Sequence, residues 1–275
     1  MPTILLCDNG STIAEATLQL RALSQALSTK TKHPVHPVSL QHADHIPIAK
    51  LNNTAAHTFT NFMHEQLTRG EREFIMLPLL FGNSKAITTY VPEEIKHLKQ
   101  QHGEFSFTMA DVIYPLPQGE ALLSDIIYEH ILQSTKRPQL SQENIVLVDH
   151  GSPNPQVTDV RKHLASTVQT KLADTCILEQ AVMERREGKE YDFNGDLLET
   201  WLKQKAQSGE TSAVVILLFF LAGRHAGKDG DIVDICSSVM KEYPELKITI
   251  SPLISEHPKF ISILQSRLND VIKDF

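Results

Sequence analysis

The chain has 275 residues, of which 41% are hydrophobic, and a formal net charge of −7. This length predicts one large domain or two of ordinary size, with enough apolar residues for a core. The negative charge argues against a general nucleic-acid binder, and no run of about 18 apolar residues indicates a membrane span. The amino terminus lacks a basic region and a small-residue cleavage site, so no signal peptide is expected.

The cysteines and histidines indicate which kinds of disulfide and metal site to expect. Cys7, Cys176 and Cys236 are odd in number and widely spaced, which argues against a disulfide framework and predicts a cytoplasmic location. Histidine is frequent, with 13 residues in the chain. Many of these crowd the polar stretch from 33 to 64, where exposed side chains are a simpler interpretation than a metal site.

Strand and helix patterns alternate through the first half of the chain. The predicted order is strand 3–8, helix 13–27, strand 35–40, helix 54–69, strand 73–80, helix 92–101, strand 105–110 and helix 120–132. Pro92 suits the first turn of its helix. The polar segment 133–144 contains a proline and predicts a linker.

The same alternation begins again after the linker. The predicted elements are strand 144–149, a helix that Ser152 or Asn154 can cap, strand 175–179, an apolar run from 215, and helix 228–241. The run from 215 is rich in β-branched and aromatic residues. It is typical of a strand that is buried on both faces of a parallel sheet.

An internal repeat relates the two halves. The Gly-Ser pairs at 10–11 and 151–152 align at an offset of 141 (152 − 11), and the same offset places Gly82 on Gly223. A shared register is hard to explain by chance. We therefore predict an α/β fold of two homologous lobes, residues 1–133 and 144–275, each a small parallel sheet flanked by helices.

The second lobe carries the residues that are suited to chemistry. At the offset of 141, His150 falls on Asn9, His225 on Ser84 and Glu179 on Val38. The first lobe therefore keeps the backbone signals but lacks the imidazoles and the carboxylate. We expect the second lobe to hold the site.

His150, Glu179 and His225 are each predicted to stand at the carboxyl end of a strand, where open α/β sheets bind ligands. Taken alone, each has an ordinary interpretation, such as a turn histidine bonded to backbone or a rim carboxylate. Together they form a His/Glu/His set, which suits Fe²⁺, Co²⁺, Ni²⁺ or Zn²⁺. The same groups can accept protons near neutral pH.

The loop around His225 resembles a nucleotide-binding loop only superficially. Three residues instead of four separate Gly223 from Gly227, and Asp229 stands where a magnesium-binding Ser or Thr is needed. No nucleotide cofactor is therefore predicted.

Basic residues cluster near the same strand ends. Arg185, Arg186 and Lys189 lie in the segment 183–194, for which the sequence predicts no counterpart in the first lobe, and Arg224 and Lys228 flank His225. The segment is either a solvated surface loop or an anion clamp that binds substrate carboxylates.

Four elements of the second lobe together resemble a known family. The His150-Gly-Ser element, Leu178-Glu179, the Gly-Arg-His225 loop and Glu256-His257-Pro258 are similar to motifs of the class II chelatases, and most of all to the sirohydrochlorin cobaltochelatases and ferrochelatases. The resemblance covers the second lobe nearly end to end and the first lobe more weakly. The 183–194 segment and the Gly-Arg-His order depart from the family pattern.

The resemblance implies a two-lobe chelatase fold that inserts a divalent ion into a tetrapyrrole without a nucleotide cofactor. It implies that His150 and His225 are metal ligands and accept the pyrrole protons, and that Glu179 assists in metal delivery or proton removal. Sirohydrochlorin carries several carboxylates, which fits Arg185, Arg186, Arg224 and Lys228 as substrate-binding residues.

Several alternatives stay open at this level. A carrier would bind metal or tetrapyrrole without joining them, and a hydrolase using Ser152 with His150 is disfavoured because no G-x-S-x-G elbow surrounds Ser152. The sequence does not choose among Co²⁺, Fe²⁺ and Ni²⁺ or fix the tetrapyrrole, and a homodimer is compatible with it.

Overall fold

The computed structural model describes residues 1–135, 144–172 and 176–273. Most of the predicted linker, residues 136–143, lies outside the described residues. The elements are β1 (Thr3–Asp8), α1 (Ala14–Thr31), β2 (Val35–Ser39), α2 (Phe59–Thr68), β3 (Glu73–Pro78), α3 (Val91–His102), β4 (Ser106–Met109), α4 (Ala121–Ser134), β5 (Ile145–Asp149), α5 (Pro155–Gln169), β6 (Leu178–Val182), β7 (Asp196–Leu197), α6 (Leu198–Gln207), β8 (Ser212–Leu217), α7 (Asp231–Glu242), β9 (Lys247–Ile250) and α8 (Phe260–Ile272).

Two parallel sheets confirm the predicted α/β fold of two lobes. The first has the strand order β2-β1-β3-β4, and the second has the order β7-β6-β5-β8-β9. The central strands β1, β5 and β8 are buried along almost their whole length. This burial explains why they are continuous apolar runs, since helices cover both faces of a parallel sheet.

The chain folds into two compact units whose boundaries differ from those of the predicted lobes, because the last helix of each lobe belongs to the other unit. One unit is Met1–Gln118 with Ile261–Phe275, and the other is Gly119–Phe260. Helix α8 thus belongs to the first unit, where Arg267 donates hydrogen bonds to the carbonyl oxygens of Val112 and Ile113 at 3.0 and 3.1 Å. Helix α4 belongs to the second.

Helix starts follow the local signals. Helix α5 begins after Asn154, whose side chain accepts a hydrogen bond from the Gln156 amide at 3.2 Å, and Pro155 occupies its first turn. Helix α2 starts at Phe59, later than predicted, because Thr58 is extended and forms a parallel β-bridge with Ser39.

The single repeat offset of 141 is wrong for two of the four strand pairs. The strand registers give 141 for β1 with β5, but 143 for β2 with β6 (178 − 35) and 139 for β3 with β8 (214 − 75), before 141 returns at β9 (249 − 108). The prediction that the segment 183–194 has no first-lobe counterpart is also wrong, because residues 40–58 connect β2 to α2 as residues 183–197 connect β6 to α6, and they form the longer of the two connections.

Within the described residues, no helix has both the length and the apolar character needed to cross a membrane. Cys7, Cys176 and Cys236 are buried free thiols.

Candidate metal site

The loop after β5 depends on a close backbone approach. Asp149 ends the strand, His150 follows it, and Gly151 has a φ of 90°. A Cβ on Gly151 would lie 1.9 Å from the carbonyl oxygen of Glu184, so that only glycine fits. The turn therefore carries His150 directly past the chain that leaves β6.

His150 and His225 meet at the carboxyl edge of the second sheet. Their ring centroids lie 4.5 Å apart, with the ring planes at 71°. His225 is not at the end of its strand, as predicted, but eight residues later (225 − 217), in the loop before α7. In the strand order β6-β5-β8 the connections from β5 and β8 leave in opposite directions, which makes this edge the topological switch point where such sheets bind ligands.

Hydrogen bonds fix the same nitrogen of each imidazole. The Nδ1 of His150 lies 2.9 Å from the carbonyl oxygen of Gly151, and the Nδ1 of His225 lies 2.6 Å from Oδ2 of Asp231. Both partners are acceptors, so we infer that each Nδ1 carries the hydrogen. In each neutral ring the lone pair is then on Nε2, the arrangement in which histidine binds a metal while a second residue holds its other nitrogen.

A carboxylate that the sequence interpretation did not identify stands beside this pair. Oε1 of Glu184 lies 3.2 Å from Nε2 of His150. Because Nδ1 of His150 carries the hydrogen, Nε2 of His150 and the Glu184 carboxylate are both acceptors. A proton or a metal ion between them is needed to make their contact favourable. His150, Glu184 and His225 therefore offer the mixed imidazole and carboxylate donors that borderline divalent ions accept.

Glu179 is not at a strand end, and that prediction is wrong. It is the second residue of β6 and pairs with Val146, so it lies near the amino end of the strand, about 10 Å from the carboxyl end at Val182. Its carboxylate accepts a hydrogen bond from Nε1 of Trp201 at 2.9 Å and pairs with Lys205. The structure does not bring Glu179 together with the histidines.

The corrected repeat identifies the first-lobe counterpart of Glu184. Gly10 approaches the carbonyl oxygen of Gln41 as Gly151 approaches that of Glu184, and a Cβ on Gly10 would lie 1.8 Å from that oxygen. At the local offset of 139, His225 corresponds to Ala86 and not to Ser84. The first lobe therefore has an amide in place of the carboxylate and no imidazole at either position.

The basic residues predicted to bind substrate carboxylates differ in how far their side chains are already occupied by contacts within the chain. Arg185 is engaged within its own loop, with Nη1 at 3.1 Å from both the Gly195 carbonyl oxygen and Oδ1 of Asp192. Arg186 lies over the ring of Tyr191, 5.9 Å from its centroid.

The basic residues beside His225 are more open. Arg224 is exposed, since 76% of its side chain is accessible, and its only ion-pair contact in the described chain is with Asp231 at 3.8 Å. Lys228 is also exposed. Both can therefore meet a charged ligand without breaking a strong contact.

Among the described residues, no group of three or more His, Cys, Asp or Glu side chains converges closely enough to form a ready metal centre. The site is a close imidazole pair with Glu184 beside His150. Binding a metal to all three side chains therefore requires side-chain rotation.

Each lobe also has a buried aspartate at the end of its first strand. Asp149 is paired with Arg161, at 2.5 Å between Oδ1 and Nη1, whereas Oδ1 of Asp8 has no hydrogen-bond partner in the described part of the chain. Burial raises the pKa of Asp8 to about 6. Burial also raises the pKa of Asp149, although Arg161 opposes that effect.

We expect Asp8→Asn to stabilise the chain at pH 8 by about 2 kcal/mol and to have little effect near pH 4. The folded-state pKa of about 6 lies above the ordinary 3.8, so the stabilisation from the bound proton is complete below pH 3.8 and lost as the pH rises through 6. Asparagine removes that loss. Denaturant unfolding at both pH values measures the effect.

Asp149→Asn is the matched comparison. It should destabilise the chain at pH 8, because it leaves the buried charge of Arg161 without its carboxylate. An equal gain from Asp8→Asn at both pH values would contradict the titration argument.

Comparison with known proteins agrees with this architecture. Residues 144–271 match the CbiX family model. A structure of SirB from Bacillus subtilis with Fe³⁺ has a TM-score of 0.69 at 15% identity, covering 98% of this chain and 95% of that one. The sirohydrochlorin chelatase SirB from Bacillus subtilis subspecies spizizenii in complex with cobalt gives the same score and identity over 100% and 97%.

A third structure is similar over the same length. CbiX, described as the terminal enzyme for biosynthesis of siroheme in denitrifying bacteria, has a TM-score of 0.63 at 11% identity, covering 98% of this chain and 99% of that one. A search of curated protein sequences finds no match. Residues 144–271 therefore match the CbiX family model, and the chain has the fold of the class II chelatases.

Proposed function

We propose that this chain inserts a divalent metal ion into sirohydrochlorin or a related tetrapyrrole without a nucleotide cofactor. Co²⁺ and Fe²⁺ are the first candidates, and Ni²⁺ is a third. The observation that carries the proposal is the close pair of His150 and His225, each with Nδ1 held by an acceptor. The SirB structures with Fe³⁺ and cobalt and the CbiX family match support it.

The site supplies the donors that the incoming ion needs. The Nε2 atoms of His150 and His225 and the carboxylate of Glu184 bind the metal as it leaves water. Glu184 replaces Glu179 in this ligand set. Because Glu184 and His225 are accessible side chains, they can rotate to follow the ion toward the macrocycle.

Metal insertion also requires two protons to be removed. The macrocycle exchanges two pyrrole N–H protons for one divalent ion, so each proton needs an acceptor on the face from which the metal enters. An imidazole Nε2 that has released the metal and the Glu184 carboxylate are such acceptors, and both are open to solvent for proton loss.

Recognition of the substrate carboxylates is assigned to the exposed cations. Arg224, Lys228 and Arg186 are available to carboxylates, whereas Arg185 must first release Asp192. The cytoplasmic location, the absence of nucleic-acid or membrane partners and a homodimer stay predictions.

An absorbance assay tests the proposal. Purified protein is mixed with sirohydrochlorin and with Co²⁺, Fe²⁺ or Ni²⁺ in turn, and the shift of the macrocycle bands is followed against a protein-free control. A protein-dependent rate supports a chelatase and ranks the metals. Binding of metal and macrocycle with no rate above the control would reject insertion and favour a carrier.

We expect Asp231→Asn to lower the insertion rate on the order of 10-fold, because residues that hold a ligating histidine tune its basicity and orientation. The asparagine amide can turn its own N–H toward Nδ1 of His225 and favour the wrong tautomer. The insertion assay measures the loss. Asp229→Asn, on an exposed neighbour in the same loop, is the control and should leave the rate unchanged.

A further inference from the structure

We propose that Arg161 and Asn194 are positioning residues that hold the 184–195 segment against the histidine loop. This inference rests on the proposed function, because its consequence is the placement of Glu184 beside the metal. Neither residue touches substrate, since Arg161 is 1% exposed and Asn194 is fully buried.

Arg161 joins three parts of the second unit through one guanidinium. Nη1 lies 2.5 Å from Oδ1 of Asp149 at the end of β5 and 3.3 Å from the carbonyl oxygen of Ala181 in β6. Nη2 donates to the carbonyl oxygen of Asn194 at 2.5 Å, and Nε donates to Gln180. The planar fork of arginine provides donors in all these directions at once, which a lysine amine does not.

Asn194 extends this connection to the histidine loop. Its Oδ1 accepts from the amide of Ser152 at 3.0 Å, and its Nδ2 donates to the carbonyl oxygen of Ser152 at 2.9 Å. Thr158 donates to the same Oδ1 at 3.1 Å. The side chain of Asn194 thus pairs with the backbone two residues after His150.

The segment is therefore attached to the same loop at both of its ends. At its start the amide of Glu184 donates to the carbonyl oxygen of His150 at 3.1 Å. At its end, Asn194 holds Ser152, and Arg161 holds Asn194. The residues between these attachments are largely exposed, so these two attachments, together with the Met183 amide that donates to the Asp149 carbonyl oxygen at 2.8 Å, hold Glu184 relative to His150.

The first lobe lacks this connection. Helices α1 and α5 start at matching positions, and Leu20 stands where α5 has Arg161. Arg21 does hold the corresponding loop, through the carbonyl oxygens of Leu51, Thr54 and Ala55 at 2.7 to 3.0 Å. No bond from Arg21 to Asp8 is present in the described chain, and Asp8 Oδ1 stays unpaired. The strand-end aspartate is thus tied to the neighbouring loop in the lobe that has the imidazoles.

Arg161→Lys tests the role, because it keeps the positive charge near Asp149 and removes the reach to Asn194. We expect hydrogen exchange of the 184–195 amides to become faster while β5 and β8 stay protected. We also expect the affinity for Co²⁺ alone, followed by its visible absorption, to fall about 10-fold, with a similar rise in KM for the tetrapyrrole and a smaller change in kcat.

Arg21→Lys is the matched control, since it removes comparable loop contacts in the first unit. It should speed exchange at 51–55 and leave Co²⁺ affinity and KM unchanged. If Arg161→Lys does not fold, Thr158→Val removes one bond to Asn194 and should give a smaller effect in the same direction.

The outcomes separate this inference from the proposed function. Unchanged exchange at 184–195, or faster exchange with unchanged Co²⁺ affinity, would overturn the positioning role. If the wild-type chain inserts no metal, the proposed function fails. Exchange and Co²⁺ affinity then still decide whether Arg161 places Glu184.

Discussion

His150→Ala and His225→Ala should each lower the rate of metal insertion by at least about 100-fold while leaving thermal unfolding near that of the wild type. Each substitution removes one of the two nitrogens that we propose to bind the ion and accept a proton. Both side chains are partly exposed, 44% for His150 and 30% for His225, so truncation creates no core cavity. The macrocycle absorbance assay measures the rate.

The two variants should disturb different neighbouring carboxylates. Alanine at 150 leaves Glu184 without its neighbour, whereas alanine at 225 leaves Asp231 without the ring that it holds. Both should lose affinity for Co²⁺ measured without macrocycle. Near-normal insertion by either variant would reject the two-histidine site.

Asn9→Ala is the control for these variants. Asn9 corresponds to His150 at the shared strand end of the first lobe, where β1 and β5 keep the offset of 141. We expect its insertion rate to stay close to wild type. A large loss would show that the first unit takes part in the chemistry.

The alternating patterns predict the elements well because both sheets are parallel and buried. Strand 3–8 and helix 92–101 match β1 and α3 to within about one residue. Burial on both faces makes the strand a continuous apolar run, and burial on one face gives the helix its apolar periodicity, so a single sequence records both directly.

The sequence misplaces Glu179 because burial does not reveal where a strand begins. The apolar residues Cys176, Ile177 and Leu178 suggest a strand ending at Glu179, but β6 starts at Leu178. A carboxylate is tolerated inside β6 because Trp201 and Lys205 of α6 reach it. That partner set depends on tertiary structure and leaves no local pattern.

The repeat predicts which lobe holds the imidazole pair but not the full site. The offset holds at His150, where the Gly-Ser signal is strong, and it shifts by two residues at the neighbouring strands β6 and β8. Counterparts assigned with one offset are therefore wrong at Val38 and Ser84. The close contact of Gly151 with Glu184, which identifies the carboxylate, depends on the tertiary structure and leaves no pattern in the sequence.

Glu184→Gln should lower the metal-insertion rate by about 100-fold, whereas Glu179→Gln should leave it close to wild type. Glutamine keeps the size of the side chain and the backbone carbonyl that contacts Gly151, so the loop after β5 is preserved. It removes the negative charge 3.2 Å from Nε2 of His150, and with it the proposed metal donor and proton acceptor. Insertion rates and Co²⁺ affinity are measured together.

Glu179→Gln is the matched control for Glu184→Gln, because it removes a carboxylate from β6, the strand that precedes Glu184. Its expected effect is on stability alone, a loss of up to about 1 kcal/mol, because the partly exposed pair with Lys205 contributes little and the amide oxygen can still accept from Trp201. The reverse result, with insertion lost at 179 and retained at 184, would reject the ligand set of His150, Glu184 and His225. Loss at 184 alone assigns the carboxylate to the chain that leaves β6, next to the glycine turn that carries the histidine.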